Sequence, residues 1–378
     1  MRALLHFARH DDTSGLFSQI ARRHDRAAYR MRVATLEATE PSLRAGVTAA
    51  GVPCDAFGAR SKSLKAYLRA VPRLARYLRR HRVEILHTHF YYPALVGGMA
   101  GTLARTPLRV MTRHHADYHT RLSPGRNRHV RLDQLATRLH HRVIAISQFT
   151  ADHLIQVEGA PPGKIVVIPN GIDFETVRTS SPERVAELRT EFGGPEHALI
   201  LVAARLAEEK GVNFALEALP ALKAATGRPF TLLSAGAGPL LGEYEALLAR
   251  QGNSELVRFL GFRRDLPDLM AAADLLLAPS LSEAFGLVAA EALYLGTPVV
   301  ATRVGGLPEL VEDGRDGRLI PPGDSAAIAA TVAELLNNPE DLAAMQCAGR
   351  NKIIERFAFD TMLQGYEALY AKCARDGS

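Results

Sequence analysis

The length of 378 residues exceeds what one hydrophobic core usually supports, so the sequence predicts two domains. Three widely spaced cysteines fit neither a disulfide framework nor a zinc site, and no run of about 18 apolar residues indicates a spanning helix. The first residues, MRALLHFARHDD, reach acidic side chains before the apolar core of a signal peptide, so we expect a cytoplasmic protein.

The net charge of +6 is unevenly distributed. Residues 1–180 carry 28 Lys and Arg against 13 Asp and Glu, a balance of +15, whereas residues 181–378 carry 18 against 27, a balance of −9. A basic half joined to an acidic half predicts two domains that meet different ligands or neighbours.

Apolar runs that alternate with helical patterns predict two successive open α/β sheets. The runs are continuous, which is typical of parallel strands buried on both faces. The predicted strands are 3–8, 31–36, 83–89, 108–114, 142–147 and 164–169 in the first half, and 198–204, 230–236, 257–261, 274–279 and 297–302 in the second. The turn-rich residues 169–185 form the predicted linker. Since ligands of open α/β sheets bind beyond the carboxyl ends of the strands, we expect functional residues there, facing a cleft between the domains.

Residues 62–82 predict a basic amphipathic helix. Its apolar face is formed by Leu64, Tyr67, Leu68, Val71, Leu74, Tyr77 and Leu78. Its cations are Lys62, Lys65, Arg69, Arg73, Arg76, Arg79, Arg80 and Arg82. A crossover helix that covers the sheet explains the apolar face, because a strand follows. An anionic membrane surface is the alternative partner for the helix.

Two cations, Arg205 and Lys210, lie between the strand at 198–204 and the next helix. Cations beside a helix N-terminus suit a phosphate, although a solvated surface explains them equally well. The later glycines Gly236, Gly238 and Gly242 lack the G-x-G-x-x-G spacing of a dinucleotide fingerprint, because the third glycine is one residue late. They predict a tight turn and weigh against an NAD-dependent dehydrogenase.

The stretch SEAFGLVAAEALYLG, residues 282–296, predicts a loop that leads into a helix near Gly286. The first amides of that helix, on Gly286, Leu287 and Val288, have no helical acceptor, so they can donate to a phosphate.

Two carboxylates flank this turn, Glu283 in the loop and Glu291 in the helix. Glu283 can accept hydrogen bonds from sugar hydroxyls, and Glu291 from a ribose diol, because an ionised carboxylate offers only acceptors. The alternative is that Glu283 favours the helix dipole and Glu291 is solvated. Glu291 lies among apolar residues, where an unpaired carboxylate is costly, and this favours a function.

The stretch from Pro279 to Asp324 resembles the retaining glycosyltransferases of family 4, which have the GT-B fold. The matching stretches are PSLSEAFGLVAAEA at 279–292, GTPVVATRVGGLPE at 296–309 and GRLIPPGD at 317–324. Further matches are ARLAEEKGV, AGAGP, VRFLGF and VIPNGID, and weaker ones are VIAISQFTADHL and ILHTH. The resemblance covers most of the chain and implies an α/β protein with two facing Rossmann-like domains and an interdomain cleft.

The resemblance implies a donor site for a nucleotide-diphosphate sugar, with UDP-sugar favoured and GDP-sugar as the alternative. Glu283 would contact the sugar and Glu291 the ribose. The implied donor-binding residues also include Arg205, Lys210, Gly236, Arg263, Phe285, Gly286, Leu287 and Val288. Arg205 and Lys210 would stabilise the leaving diphosphate, and Arg263 lies where family members contact the base. No D-x-D motif occurs, so no metal and no other cofactor is expected.

The N-terminal half departs from the family pattern after its first strand, where Gly15, preceded by Ser14, replaces a Gly-Gly pair. The loop can bind donor phosphate or acceptor hydroxyls, and we assign it to the acceptor side. The family places a histidine near the reacting carbon; His114 aligns best, and His115 is the alternative. A metal at these histidines is disfavoured, because neither a cysteine nor an H-E-x-x-H motif accompanies them.

We therefore predict an acceptor-binding domain at 1–172, joined by a C-terminal helix at about 358–378, and a nucleotide-sugar domain at 173–357. The expected reaction transfers a sugar to an acceptor hydroxyl with retention of configuration, catalysed by Glu283, His114, Arg205 and Lys210. An epimerase or hydrolase with the same fold is the alternative, and a non-enzymatic sensor is disfavoured because the catalytic set is present. We expect an anionic or lipid-linked acceptor, a peripheral contact with the inner face of a membrane, and no nucleic-acid partner.

Overall fold

The computed structural model describes residues 1–9, 15–58, 64–116, 127–194 and 196–375. The chain divides into two compact units. The first unit comprises Met1–Gly171 and Asp360–Ser378, and the second comprises Ile172–Phe359.

The first unit contains a seven-stranded parallel sheet in the order β3-β2-β1-β4-β5-β6-β7. The strands are β1 Arg2–Ala8, β2 Tyr29–Thr35, β3 Cys54–Ala56, β4 Ile85–His89, β5 Leu108–Arg113, β6 Arg142–Ala145 and β7 Ile165–Val167. Every residue of β4 is buried, as expected for a central strand covered on both faces, although His87, Thr88 and His89 are polar. The order reverses between β1 and β4, so the switch point of this sheet lies there.

Helices cover both faces of this sheet. They are Leu16–Arg23, Pro41–Ala49, Leu64–Leu68, Ala70–Arg80, Tyr91–Ala104, Asn127–Leu139, Gln148–Gln156 and Phe359–Arg375. Glycine allows helix Tyr91–Ala104 to approach the sheet closely, because a Cβ at Gly97 would overlap the Thr88 side chain. From the C-terminal helix, Tyr370 packs against the sheet with its hydroxyl 2.5 Å from Nδ1 of His87.

The second unit contains a six-stranded parallel sheet in the order β10-β9-β8-β11-β12-β13. The strands are β8 Ala198–Ala203, β9 Phe230–Ala235, β10 Val257–Gly261, β11 Leu275–Ala278, β12 Val299–Thr302 and β13 Gly317–Ile320. The helices are Pro182–Glu191, Val212–Glu217, Leu219–Ala225, Leu241–Gln251, Leu266–Ala272, Leu287–Leu295, Leu307–Leu310, Ser325–Asn337 and Pro339–Arg356. The order reverses between β8 and β11, which places the switch point of this sheet between the loops that follow those strands.

The eleven predicted strands are present, and the sequence prediction missed β3 and β13. Both are short strands at the edge of a sheet, with three and four residues. The sequence CDA of β3 and GRLI of β13 contain no continuous apolar run, so nothing in their composition distinguishes them from loops.

The predicted basic helix at 62–82 is instead two helices, Leu64–Leu68 and Ala70–Arg80. Its apolar side covers the sheet as predicted, since Tyr67, Leu74 and Leu78 are buried with residues of β1. Tyr77 packs against the same cluster, while its hydroxyl donates to Asp55 at 2.5 Å. Leu68 departs from the predicted face, because its side chain is exposed. The exposed cations of the pair are Lys65, Arg69, Arg73, Arg76, Arg79 and Arg80.

Within the described part of the chain, none of the helices combines the length and the hydropathy needed to cross a bilayer.

Candidate active site

Two loops meet at the switch point of the second unit. The loop after β8 carries Arg205 to Gly211, and the loop after β11 carries Pro279 to Gly286. The amides of Leu281 and Ser282 donate to the carbonyl of Glu209 at 2.9 and 3.3 Å. Gly211 permits this approach, since a Cβ there would overlap the carbonyl oxygen of Pro279. The backbone thus holds the cations and the carboxylates of the candidate site side by side.

Lys210 and Glu283 form an ion pair across these loops, with Nζ 2.6 Å from Oε2. Both side chains are partly buried, with exposed fractions of 25% and 21%, so the pair can still be reached from solvent. The sequence predicted Lys210 as a contact of the diphosphate and Glu283 as a contact of the sugar, and the structure brings the two side chains together.

Arg205 is paired with Glu209, four residues further along the same loop. The Arg205 side chain is 63% exposed, whereas that of Glu209 is 11% exposed. The sequence prediction missed Glu209 as a partner, although a carboxylate four residues after an arginine is the spacing at which helical ion pairs form. Both predicted phosphate-binding cations thus have a carboxylate partner in this structure.

The backbone of Glu283 is fixed by the Gly305-Gly306 pair. The amide of Gly306 donates to the Glu283 carbonyl at 3.0 Å, and a Cβ at Gly305 would overlap that same oxygen. Gly305 also has a φ of +58°, which L side chains rarely adopt. The Gly305-Gly306 pair therefore determines the backbone conformation of the loop that carries Glu283.

The helix Leu287–Leu295 begins without a capping side chain, and Gly286 precedes it with a φ of +104°. Two helices of this unit have side-chain caps, since Ser181 accepts from the amide of Arg184 and Asp324 from that of Ala327, whereas its other described helices, like this one, have none. The first amides of helix Leu287–Leu295 are therefore left for another acceptor. The side chain of the neighbouring Phe285 is buried against Phe357, so only its backbone can meet a ligand.

Glu291 lies one turn into this helix, in the apolar surroundings that its sequence predicts. Burial raises the pKa of its carboxyl to about 7. Among the described residues, no hydrogen-bond donor or cation contacts the carboxylate. Its raised pKa reflects desolvation without a compensating partner, which a ligand with hydroxyl groups can supply.

Two further predicted donor residues have structural partners. A Cβ at Gly236 would overlap the carbonyl oxygen of Ala204, so this glycine permits close packing of the loops after β8 and β9. Arg263 donates from Nε and Nη2 to the two oxygens of Asp265 at 2.8 and 2.6 Å. This bidentate pair raises the pKa of Arg263 and fixes the plane of its guanidinium. The sequence prediction did not anticipate Asp265.

In the first unit, Gly15 precedes helix Leu16–Arg23 with a φ of +68°, while Ser14 lies outside the described residues. His114 follows β5, and its Nε2 lies 3.2 Å from Nδ1 of His89 at the end of β4. Burial lowers the pKa of His114 to about 4, so the imidazole is neutral near pH 7. The other candidate, His115, has its Nε2 4.0 Å from Asp133, a residue that also pairs with the buried Arg113.

Family models match both halves of the chain. Residues 17–176 match the model described as Glycosyltransferase Family 4, and residues 197–338 match the model described as Glycosyl transferases group 1. The chain is 31% identical over 310 residues to a 2-deoxystreptamine glucosyltransferase of Streptomyces kanamyceticus, covering 78% of this chain and 80% of the relative. It is 32% identical over 313 residues to a D-inositol 3-phosphate glycosyltransferase of Streptomyces scabiei, covering 78% of this chain and 69% of the relative.

The structure resembles that of Anabaena Alr3699/HepE, solved with UDP and glucose, with a TM-score of 0.84 and 26% sequence identity. The match covers 98% of this chain and 100% of that protein. The same protein has been solved with UDP-glucose and with UDP alone. With its two parallel sheets, its E-x7-E loop and these relatives, this chain belongs to glycosyltransferase family 4, the glycosyl transferases group 1, and has the GT-B fold.

Proposed function

We propose that this glycosyltransferase moves a sugar from a UDP-sugar to an acceptor hydroxyl with retention of anomeric configuration. The observation that carries the proposal is the pairing of Lys210 with Glu283 beside the uncapped start of helix Leu287–Leu295. A cation and free amides suit the diphosphate, and the carboxylate suits the sugar hydroxyls. The choice of uridine is supported by the complexes of Alr3699/HepE with UDP and UDP-glucose.

The catalytic contribution of Lys210 and Arg205 is electrostatic. Cleavage of the glycosidic bond leaves negative charge on the diphosphate, so the cations bind the transition state more tightly than the ground state. In the free protein their charge is balanced by Glu283 and Glu209. A bound diphosphate competes with these carboxylates for the cations, and the hydroxyls of the sugar give Glu283 its replacement partners. No metal ion is required in this scheme.

The ribose and the base are assigned to Glu291 and Arg263. A ribose diol would donate two hydrogen bonds to the unpartnered Glu291 carboxylate, which favours its ionised form. Arg263 has its nitrogens turned to Asp265, so its contribution to the base is a flat guanidinium face on which a planar ring can stack. The glycine at position 236 serves the donor site indirectly, through the packing of the loops.

The acceptor is assigned to the first unit, with Gly15 and His114 among its neighbours. Retention is proposed to follow from front-face attack, in which the departing phosphate takes the acceptor proton. A neutral His114 is consistent with this, because no carboxylate among the described residues contacts it to make it a strong base. His114 then contributes a hydrogen bond to a hydroxyl group.

Peripheral membrane contact is proposed for the exposed cations of the helices Leu64–Leu68 and Ala70–Arg80. Their apolar side is used in the core of the first unit, so the contact would be electrostatic and would not involve insertion. An acceptor that is anionic or attached to a lipid would be concentrated by the same cations.

The proposed reaction is tested with purified protein, UDP-glucose and a panel of hydroxyl acceptors that includes cyclitols and anionic polyols. We expect UDP release only when an acceptor is present, no loss of activity with EDTA, and lower activity with GDP-glucose. Proton NMR of the product should show the anomeric configuration of the donor. Equal UDP release without an acceptor would instead support a hydrolase, an alternative that none of the comparisons favours.

A further inference from the structure

Four histidines lie close together near the switch point of the first unit, and only His114 has a role in the proposed reaction. His6 lies in β1, His87 and His89 lie in β4, and His114 follows β5. His6, His87 and His89 are buried, and the register pairs His6 with His87. Strand alternation places His87 and His89 on one face of the sheet, opposite to Thr88.

Three of these rings form a hydrogen-bonded chain. Nδ1 of His6 lies 2.9 Å from Nε2 of His89, and Nδ1 of His89 lies 3.2 Å from Nε2 of His114. The ends of the chain are Nε2 of His6 and Nδ1 of His114, and neither has a hydrogen-bond partner among the described residues. The chain therefore links the interior of the sheet to the histidine that the proposed function places at the reaction.

The nitrogens of His6, His87 and His89 lie close enough together to suggest a metal centre. The contacts favour a hydrogen-bonded cluster. Both nitrogens of His87 are already bonded, to the Tyr370 hydroxyl at 2.5 Å and the Thr112 hydroxyl at 2.7 Å. The ring of His89 stacks on the rings of His6 and His87, with interplanar angles of 27° and 29°, instead of pointing with them at a common centre.

The three rings of the chain are neutral. Burial lowers the pKa of His6 to about 3 and that of His114 to about 4, and it lowers the pKa of His89 well below its ordinary value. A neutral imidazole has one N–H and one lone pair. Each hydrogen bond in the chain needs an N–H on one ring and a lone pair on the next.

These requirements couple the protons of the three rings. If His89 carries its proton on Nε2, it donates to His6, and it must accept from an N–H on Nε2 of His114. If His89 carries its proton on Nδ1, both neighbours are forced to the Nδ1–H form as well. The whole chain is therefore either Nε2–H or Nδ1–H, and the Nε2–H form is the more stable one for an isolated neutral histidine.

We infer that His6 and His89 are positioning residues that fix His114 as the Nε2–H tautomer, so that Nδ1 of His114 accepts a hydrogen bond from a substrate hydroxyl. The inference rests on the proposed function in that it takes His114 to meet the substrate. The tautomer itself is a property of the protein alone. It depends on His6, two rings away from that outer nitrogen, because the tautomers of the three rings are coupled.

The first test is nitrogen-15 NMR of histidine-labelled wild-type protein without substrate at pH 7. We expect His6, His89 and His114 to be neutral and to share the Nε2–H form, each with a pyridine-like Nδ1. A different tautomer on any one of the three, or a protonated ring among them, overturns the inference. This measurement needs no variant and no activity.

The second test compares His6→Phe, which removes the acceptor for His89, with His6→Asn, whose amide oxygen can replace Nδ1. In His6→Phe we expect His89 and His114 to change to the Nδ1–H form, with kcat lowered about 10-fold to 100-fold and the donor KM unchanged. His6→Asn should keep the Nε2–H form and most of the activity. A normal kcat in His6→Phe together with a changed tautomer of His114 also contradicts the inference.

The matched control is His140→Phe. His140 is equally buried and neutral, but it bonds Thr88 at 3.0 Å on the opposite face of the sheet, outside the chain. Its replacement should leave the His114 tautomer and kcat unchanged, and an equal effect would assign the His6 result to general loss of packing. If wild-type protein transfers no sugar but shows the shared tautomer, the proposed function fails and the chain of histidines stands.

Discussion

The two sheets have the same kind of switch point, yet their residues differ in charge and in position. In the second unit the residues are charged and lie on loops, where Lys210 pairs with Glu283. In the first unit they are neutral imidazoles, and His6 and His89 belong to the strands themselves. A diphosphate changes its charge during the reaction and needs charged partners, whereas a hydroxyl needs only a correctly placed lone pair or proton. The comparison teaches that one fold can place either chemistry at its switch point.

Removing the cation of the second switch point should give the largest effect. We expect Lys210→Ala to lower kcat about 100-fold to 1,000-fold while donor affinity falls much less, because the charge acts mainly on the departing diphosphate. Steady-state kinetics and calorimetric titration of UDP-glucose measure the two quantities. Arg205→Ala should lower kcat less than Lys210→Ala, because the Arg205 side chain is more exposed.

Lys223→Ala is the matched control for Lys210→Ala, since Lys223 is also paired with a carboxylate but lies on the surface, 3.1 Å from Glu255. It should keep wild-type kinetics. If Lys210→Ala stays within twofold of the wild type, the electrostatic role assigned to this switch point is wrong.

The loop that carries Glu283 should depend on glycine at position 305. We expect Gly305→Ala to lower the free energy of unfolding by about 3 kcal/mol, from backbone strain at a positive φ and from overlap with the Glu283 carbonyl. Urea denaturation measures the change. Gly314→Ala is the control, because Gly314 has a φ of +81° but no atom within 4 Å of its added Cβ. If Gly305→Ala and Gly314→Ala lower the free energy of unfolding equally, the close approach of Gly305 to the Glu283 carbonyl does not contribute to stability.

The affinity for UDP-glucose should rise with pH through about 7, because the ionised Glu291 carboxylate accepts hydrogen bonds from the ribose. UDP-glucose suits this test since its diphosphate does not titrate near neutrality. The expected gain between pH 5.5 and 8.5 is about tenfold, as for one charge-assisted hydrogen bond. Glu291→Gln should bind more weakly at pH 8.5 and lose the pH dependence. An identical pH profile in the variant would assign the titration to another group.

The Glu291 carboxyl should also make the free energy of unfolding fall as the pH rises, whereas it makes the affinity for UDP-glucose rise. Because its folded pKa is raised, its contribution is fully present below the unfolded value near 4.5 and is lost as the pH rises through about 7. Glu291→Gln should therefore be more stable than the wild type at pH 8.5, by about 1–2 kcal/mol after allowance for partial exposure, and not at pH 4.5. Thermal unfolding at the two pH values measures this, and a variant less stable at pH 8.5 would contradict the assigned desolvation.

The smallest effect per residue is expected at the basic surface of the first unit. Reversing the charge of Arg73, Arg76 and Arg80 should weaken binding to phosphatidylglycerol vesicles at low salt, by about 1 kcal/mol for each removed cation. Vesicle co-sedimentation measures it. Reversal of Arg178, Arg250 and Arg264, which are exposed in the second unit, is the control with the same change of charge. Equal weakening by both triple variants would indicate a general effect of net charge.

Much of the fold follows from the sequence because its signals are local. Continuous apolar runs predicted eleven strands, and the loop residues before Gly286, followed by an apolar run, predicted a loop that leads into a helix. The partners of the charged residues were not predictable in the same way. Asp265 is two residues from Arg263, but whether they pair depends on side-chain direction. His6 and His89 are 83 residues apart and become neighbours only through the strand order, which a single sequence does not specify. The split of the basic helix near Arg69 did have a local signal, which the prediction missed. Pro72 has no N–H and its ring would clash with the carbonyl of Leu68 in a continuous helix, whereas it is tolerated in the first turn of helix Ala70–Arg80.

The contact of Tyr370 with His87 has a consequence for biosynthesis. Domains generally fold during synthesis in the order in which they leave the ribosome. Here the segment after Asp360, which carries Tyr370, belongs to the core of the first unit, but it is translated only after the entire second unit. The nascent first unit must therefore wait, with the surface around His87 uncovered, until the ribosome has made the helix that covers it. A chain interrupted after residue 359 would contain all of the second unit and an unfinished first one.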